Sequence, residues 1–151
     1  MKIKGNILTI VFYTLIGVFV LATSTILIPA FRGYVSGTFM IISGIILILL
    51  GGYLIALTLK QKVEGRLKNY LILTGASAAG FFVFAFLHNI FYGLAQITSH
   101  ITILSYLMRA LEVIFFLIAI FACPIGFLVG AIGSIVLLVK ERKKEEGVKN
   151  I

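Results

Sequence analysis

The segment TFMIISGIILILLGGYLIALTL, residues 38–59, carries no charged side chain along its whole length. A membrane-spanning helix needs about 20 consecutive, predominantly apolar residues to cross about 30 Å of hydrocarbon. Three other blocks meet this requirement and also lack Lys, Arg, Asp and Glu, namely residues 7–29, 70–94 and 113–139. The pattern predicts an all-α integral membrane protein in which residues 1–139 form a four-helix transmembrane bundle.

The composition of the 151-residue chain agrees with this class, because 61% of its residues are hydrophobic and only 12% are charged. Soluble domains are about 45–50% apolar and about 25% charged. The single cysteine, Cys123, excludes an intrachain disulfide and a cysteine-based metal cage. We therefore expect one membrane domain with no cofactor and no metal site.

The basic residues predict the direction in which the chain crosses the membrane. Eleven of the 13 Lys and Arg residues precede the first block, separate the second from the third, or follow the fourth. Only Arg32 and Arg109 lie in the other two connections. Because cytoplasmic flanks carry an excess of Lys and Arg, both termini are expected in the cytoplasm. Residues 140–151 would then form a basic cytoplasmic tail, which we expect to be frayed.

The same distribution of charge indicates which partners to expect. A net charge of +8 could suggest nucleic acid, but the basic residues flank apolar blocks and form no stripe with interleaved aromatics. No nucleic-acid partner is predicted. Basic flanks instead suit the anionic headgroups of the cytoplasmic leaflet, which attract each cation by about 1 kcal/mol.

The start of the chain has an alternative interpretation as a signal peptide, because a basic start precedes an apolar stretch and small residues. Apolar character continues through Ile28, which is long for a cleaved segment. Cleavage would leave three spans without improving the charge asymmetry. We expect the first block to be retained.

Polar side chains in the third block share one helical face and predict a site at the outer end of the bundle. Polar groups are costly in lipid unless they turn toward protein or water, so this face should look inward. His88 is expected about 9 Å from the centre of its span, near Phe82, and in contact with Glu112. The candidate ligand-binding residues are His88, Asn89, Tyr92, Gln96 and Glu112, and Arg109 is expected in the same outer polar cluster. The alternatives are purely structural hydrogen bonds between helices and, least favoured, a metal or haem ligand.

Small residues in the third and fourth blocks predict close packing of helices, since small side chains let membrane helices approach each other. The packing could lie within the chain or between chains. Those of the fourth block recur at every fourth residue. The predicted packing residues are Gly75, Ala79, Gly80, Ala122, Gly126, Gly130 and Ser134.

Two features of the fourth block concern its shape. Pro124 lacks an amide hydrogen and should kink the helix, either as a static bend or as a moving hinge. Before the block, residues 101–111 have apolar side chains at helical spacing. This spacing suits a helix that lies at the outer interface and caps the bundle.

Three functions remain open at the level of sequence. An accessory subunit or self-associating scaffold is favoured, with a homo-oligomer or a larger membrane complex as partner, because small residues dominate and no charge lies at mid-span. The alternative is a transporter or channel-like component with a solute or lipid site in the outer half of the bundle. An enzyme is least favoured, because no nucleophile, metal set or phosphate cradle accompanies the His88–Glu112 pair.

The charge asymmetry makes a direct prediction about topology. Single cysteines at Ser36, Lys62 and Lys149 would be introduced into a Cys123→Ala background and exposed to an impermeant thiol reagent on intact cells. We expect Ser36→Cys to be labelled and Lys62→Cys and Lys149→Cys to be protected. Labelling of Lys62→Cys from outside would contradict the predicted topology.

Overall fold

The computed structural model describes residues 6–28 and 37–149, and nearly all of them are helical. The helices are α1 (Asn6–Leu27), α2 (Gly37–Lys60), α3 (Gly65–Ile97), α4 (Thr102–Leu117) and α5 (Cys123–Lys149), with a π-helical turn (Ile118–Ala122) between α4 and α5. Four segments are long and apolar enough to cross a membrane: Ile7–Thr25, Thr38–Lys60, Gly65–Ile97 and Thr102–Glu141. The predicted all-α architecture with four candidate spans is therefore confirmed.

The fourth candidate span differs from its prediction at both ends. Residues 101–111 were expected as a separate interfacial helix, but α4, the π-helical turn and α5 form one continuous helical rod that we call span four. Its first part, α4, packs along α3 instead of capping the bundle. The tail, expected to be frayed, is helical as far as Lys149. The connection after the first span, residues 29–36 with Arg32, and the N-terminal residues Lys2 and Lys4 lie outside the described residues.

The α3 helix is the centre of the bundle. It packs extensively against α2, α4 and α5, whereas α1 packs mainly against α2. The turn between α2 and α3 and the C-terminal part of α5 meet at one end of the bundle, which we call the basic end because it carries Lys60–Lys68 and Lys140. The opposite end carries the connection between α3 and α4, residues 98–101, and we call it the hairpin end.

Each of the first two helices turns one regular stripe of side chains toward the interior. The buried stripe of α1 consists of Leu8, Phe12, Leu15, Phe19 and Ala22. On α2 the buried positions are Ser43, Gly44, Leu47, Gly51, Leu54 and Thr58. Both stripes repeat every three to four residues, which is the spacing of one helical face. These stripes place α1 and α2 against the rest of the bundle.

The outward faces of the bundle are apolar rather than charged. Ile41, Leu49 and Phe86 are each 66% exposed, and other Ile, Leu, Val and Phe side chains surround them. Soluble monomers rarely expose contiguous apolar surfaces larger than a few hundred Å². The surface of this bundle therefore suits a hydrocarbon surrounding better than water.

A tight turn ties α2 to α3 at the basic end. Lys62 adopts a left-handed conformation, with φ of 51°. The Lys62 and Val63 amides donate to the carbonyls of Leu59 and Thr58, which ends α2 in a Schellman motif. Val63 is buried. This closed turn sends α3 back antiparallel to α2, so that the two helices remain side by side.

Candidate functional site

The closest approach between α3 and span four is built from glycines facing hydroxyl side chains. A methyl group placed on Gly126 would lie 2.6 Å from Ser77 Oγ. One placed on Gly130 would lie 2.6 Å from Thr74 Oγ1, 2.8 Å from the Thr74 amide nitrogen and 2.9 Å from the Tyr70 carbonyl oxygen. Real Cβ atoms essentially never approach other atoms below 3.0 Å. At Gly130 the near atoms include backbone, so only glycine fits there while the helices keep this separation. At Gly126 the near atom is the end of the Ser77 side chain, which would have to rotate away from a methyl group.

A second close approach joins α3 to α2 on its other side. A methyl group on Gly51 would lie 2.5 Å from the Gly75 carbonyl oxygen, and one on Gly75 would lie 2.7 Å from the Gly51 carbonyl oxygen. Ala79 packs against the same point, 3.2 Å from the position of a Gly51 methyl. Gly75 and Ala79 therefore pack against α2, whereas Gly126 and Gly130 pack against the opposite side of α3.

The other predicted packing residues divide between the interior and the surface. A methyl on Gly80 would meet Cys123 Sγ at 3.4 Å, an ordinary contact. Ser134 is fully buried, and its Oγ has no hydrogen-bond partner among the described residues. Ala122 is exposed instead. Four residues exceed one helical turn, so a row of small residues at every fourth position drifts around the helix and Ala122 falls outside the contact.

His88 and Glu112 meet, but mainly through the main chain. His88 Nδ1 lies 3.3 Å from the Glu112 carbonyl oxygen and 4.0 Å from its carboxylate oxygen Oε1. The nearer oxygen can only accept, so the tautomer with hydrogen on Nδ1 is the one that donates to it. Both side chains are partly exposed, at 27% and 20%. The histidine thus has a partner that remains whatever side chain stands at position 112.

The remaining members of the predicted ligand site do not converge on this pair. Asn89 is exposed, and its Nδ2 donates to the Ala85 carbonyl of its own helix at 2.8 Å. Tyr92 and Gln96 are also exposed. Within residues 6–28 and 37–149, no group of three or more His, Cys, Asp or Glu side chains could hold a metal ion. The described residues therefore assemble a contact between the His88 side chain and Glu112, chiefly its carbonyl, rather than a five-residue pocket.

The helix distortion at Pro124 takes a form that the sequence did not predict. The Cys123 amide donates to the Ile118 carbonyl, five residues earlier, which is the π-helical pattern. This turn ends at Ala122, two residues before Pro124, whose ring nitrogen cannot donate. The single sequence signal was the proline, which predicts a distortion without specifying its type. Whether the distortion moves as a hinge stays a prediction.

A lateral groove opens beside this distortion, between α1 and span four. Its volume is about 270 Å³, and Phe81 of α3 forms part of its wall. Phe19 closes one side by stacking on Phe127 at a centroid distance of 3.8 Å. The other lining residues are Val20 and Thr23 of α1 and Ile120, Pro124 and Leu128 of span four. Apart from Thr23, every lining side chain is apolar.

A smaller and polar pocket lies at the hairpin end, with a volume of about 200 Å³. Its lining residues are Ser99, Thr102, Ser105, Tyr106 and Arg109. Sequence reasoning missed this pocket, although the hydroxyl side chains and Arg109 follow helical spacing along the start of α4. The signal was weak because serine and threonine are frequent wherever a helix begins.

Comparison with known proteins identifies no relative of this chain. No family model, no curated protein and no solved structure matches the chain. The class defined by the fold is a helical bundle with four candidate membrane spans. Any more specific function must therefore be argued from the geometry of the chain itself.

A double-mutant cycle tests the contact between His88 and Glu112. We expect the coupling free energy between His88→Leu and Glu112→Leu to be below about 1 kcal/mol, because the nearer acceptor belongs to the main chain and the side chains are partly exposed. The free energies of unfolding of the wild type, both single variants and the double variant would be measured in detergent. A coupling well above that bound would instead indicate a direct and dominant interaction between the two side chains.

Proposed function

We propose that the chain is a multi-pass protein of the cell membrane, with four spans and both termini in the cytoplasm. Two observations support this arrangement. The outward faces of the bundle are apolar. In addition, the basic end gathers Lys60, Lys62, Arg66 and Lys68 with Lys140 of α5, and such cations suit a cytoplasmic surface of anionic headgroups.

Within this arrangement we propose a role in helix packing, as an accessory subunit or a self-associating scaffold. The observation that carries the proposal is an unfilled notch on the outward face of α2. Gly52 and Ala56, four residues apart, are both exposed, and a methyl group on Gly52 would meet no atom of the described residues within 4 Å. Large exposed side chains, Leu49 and Tyr53, stand beside this notch.

The notch has the form that membrane helices use to associate. Lipid tails are as apolar as leucine, so helices gain little from hydrophobic burial and associate through close packing at small residues. The sequence predicted close packing at Gly126 and Gly130, either within the chain or between chains. Because α3 already occupies those glycines, the proposal rests on Gly52 and Ala56, whose partner would be a second copy or a helix of a larger complex.

The alternative, a transporter or channel-like component, requires polar groups that can exchange partners along a path. Three of the five buried hydroxyl side chains of the described residues are instead engaged with their own helices. Thr58 and Thr74 donate to carbonyls four residues earlier at 2.7 and 2.8 Å, and Ser43 donates to a carbonyl three residues earlier at 3.0 Å. These local bonds favour a packing role over conduction.

The proposal predicts that enlarging the notch residue weakens association. Gly52→Leu should abolish a homo-oligomer, or release a co-purifying membrane partner, because the leucine side chain holds the partner helix away from α2. The matched control is Gly17→Leu, since Gly17 is also exposed with nothing within 4 Å and has the large residues Tyr13 and Leu21 four positions away. The mass of the complex would be measured by light scattering in mild detergent and by cross-linking in membranes.

Two results would contradict the packing role. One is a wild-type chain that remains monomeric in membranes and co-purifies with no other membrane protein. The other is a complex whose mass is unchanged by Gly52→Leu, or one that Gly17→Leu disrupts equally.

A further inference from the structure

The polar pocket at the hairpin end contains a cation without a carboxylate partner. Arg109 is exposed, and no carboxylate of the described residues lies within 4.0 Å of it. Glu112, one turn further along span four, lies beside His88 instead. The other residues that line the pocket all carry hydroxyl groups, namely Ser99, Thr102, Ser105 and Tyr106.

This combination of groups complements a phosphate. A guanidinium presents a planar set of donors that matches phosphate oxygens and forms strong, charge-assisted hydrogen bonds with them. Hydroxyl groups can donate to the remaining oxygens. Arg109 has no competing anion among the described residues, so the pocket retains an unbalanced positive charge.

The apolar groove lies nearer the middle of span four than this pocket does, and helical spacing places Arg109 and Ile120 on one side of that span. Ile120, in the groove wall, follows Arg109 by about three helical turns, which places it about 16 Å away along the axis. Exposed apolar side chains, Val113 and Phe116, connect the two positions. Phe81 lines the groove and lies near the middle of α3, so the groove is at the depth of the centre of the bundle.

The groove itself is apolar and small. Its single polar lining side chain, Thr23, already donates to the Phe19 carbonyl at 2.7 Å. With a volume of about 270 Å³ and an otherwise apolar lining, the groove suits a flexible hydrocarbon chain. The unbalanced positive charge of Arg109 favours a chain that carries a phosphate over a helix of a partner protein.

We propose that the pocket and the groove together bind one glycerophospholipid of the outer leaflet. Arg109 and the surrounding hydroxyls hold its phosphate, and one acyl chain lies in the groove beside Pro124. The separation agrees with a bilayer of about 40 to 45 Å including headgroups, in which phosphates lie about 20 Å from the midplane. The choice of leaflet rests on the proposed topology, whereas the site does not depend on the packing role of Gly52.

Native mass spectrometry of the purified full chain in non-ionic detergent tests this site. Palmitoyl-oleoyl phosphatidylcholine is the probe, because it has no net charge and so interacts little with the lysines of the basic end. We expect one bound lipid per chain, with an affinity lowered about tenfold by Arg109→Gln, since a charge-assisted hydrogen bond to the phosphate is lost. Arg66→Gln, which removes an exposed arginine at the basic end, should bind the lipid like the wild type.

Two further variants test the part of the site that would hold the acyl chain. Val20→Trp fills the groove and should lower the affinity at least as much as Arg109→Gln. Leu21→Trp places the same side chain on the adjacent exposed residue, outside the groove lining, and should leave binding unchanged.

Two related molecules separate the contributions of the headgroup and the chains. Diacylglycerol with the same chains lacks the phosphate and should bind about tenfold more weakly. Glycerophosphocholine, which has the phosphate but no chains, should not displace the lipid.

The outcomes that overturn the proposal are equally specific. Equal lipid binding by Arg109→Gln and Arg66→Gln, or by the diacylglycerol and the phospholipid, would show that no phosphate is recognised. Equal binding by Val20→Trp and Leu21→Trp would place the chain outside the groove, and displacement by glycerophosphocholine would indicate a site for free anions. Because binding is measured in detergent, a failure of the proposed topology would appear in the cysteine labelling and would contradict only the choice of leaflet.

Discussion

The close approach of α3 to a helix on each of its two sides is the contact on which the rest of the bundle depends. On one side the backbones meet at Gly51 and Gly75, and on the other Gly130 meets Thr74 and the Tyr70 carbonyl. In the bilayer that we propose for this chain no hydrophobic drive would bring the helices together, so stability would come from dense packing and weak polar contacts. Cα–H groups of glycine next to carbonyl and hydroxyl oxygens are contacts of this kind.

The two glycine contacts also determine where the bundle remains open. Since α3 is held tightly by α2 and by span four, α1 reaches the far side of the bundle mainly through Phe19, which touches Phe81 and Phe127. The space left between α1 and span four is the lateral groove, and the π-helical turn before Pro124 lies along its wall. The groove in which we propose a lipid chain is thus a consequence of uneven packing, because α3 packs closely against α2 and span four whereas α1 packs mainly against α2.

Sequence alone predicted the number of spans well, because an uncharged block such as residues 38–59 has few alternatives to a membrane helix. It predicted that Gly126 and Gly130 pack closely but not their partner, since spacing along one helix carries no information about the neighbour. The sequence did not identify Gly51 as a packing residue, because Gly52 is adjacent to it. Only the packing of the helices shows which of the two glycines faces inward. The helical angle placed Asn89, Tyr92 and Gln96 on an inward face with His88, but the structure leaves all three exposed. Ligand binding by these residues stays a prediction.

The most direct test of the central contact compares inward with outward glycines. Cys123 is buried beside α3, so a fluorogenic thiol reagent reports unfolding as the detergent-solubilised chain is heated. Gly51→Ala and Gly130→Ala should each lower the unfolding temperature, because overpacking costs about 1–3 kcal/mol. Gly52→Ala and Gly17→Ala should leave it unchanged or raise it slightly, since alanine favours helix and meets no atom of the described residues there. Equal unfolding temperatures for all four variants would contradict the account.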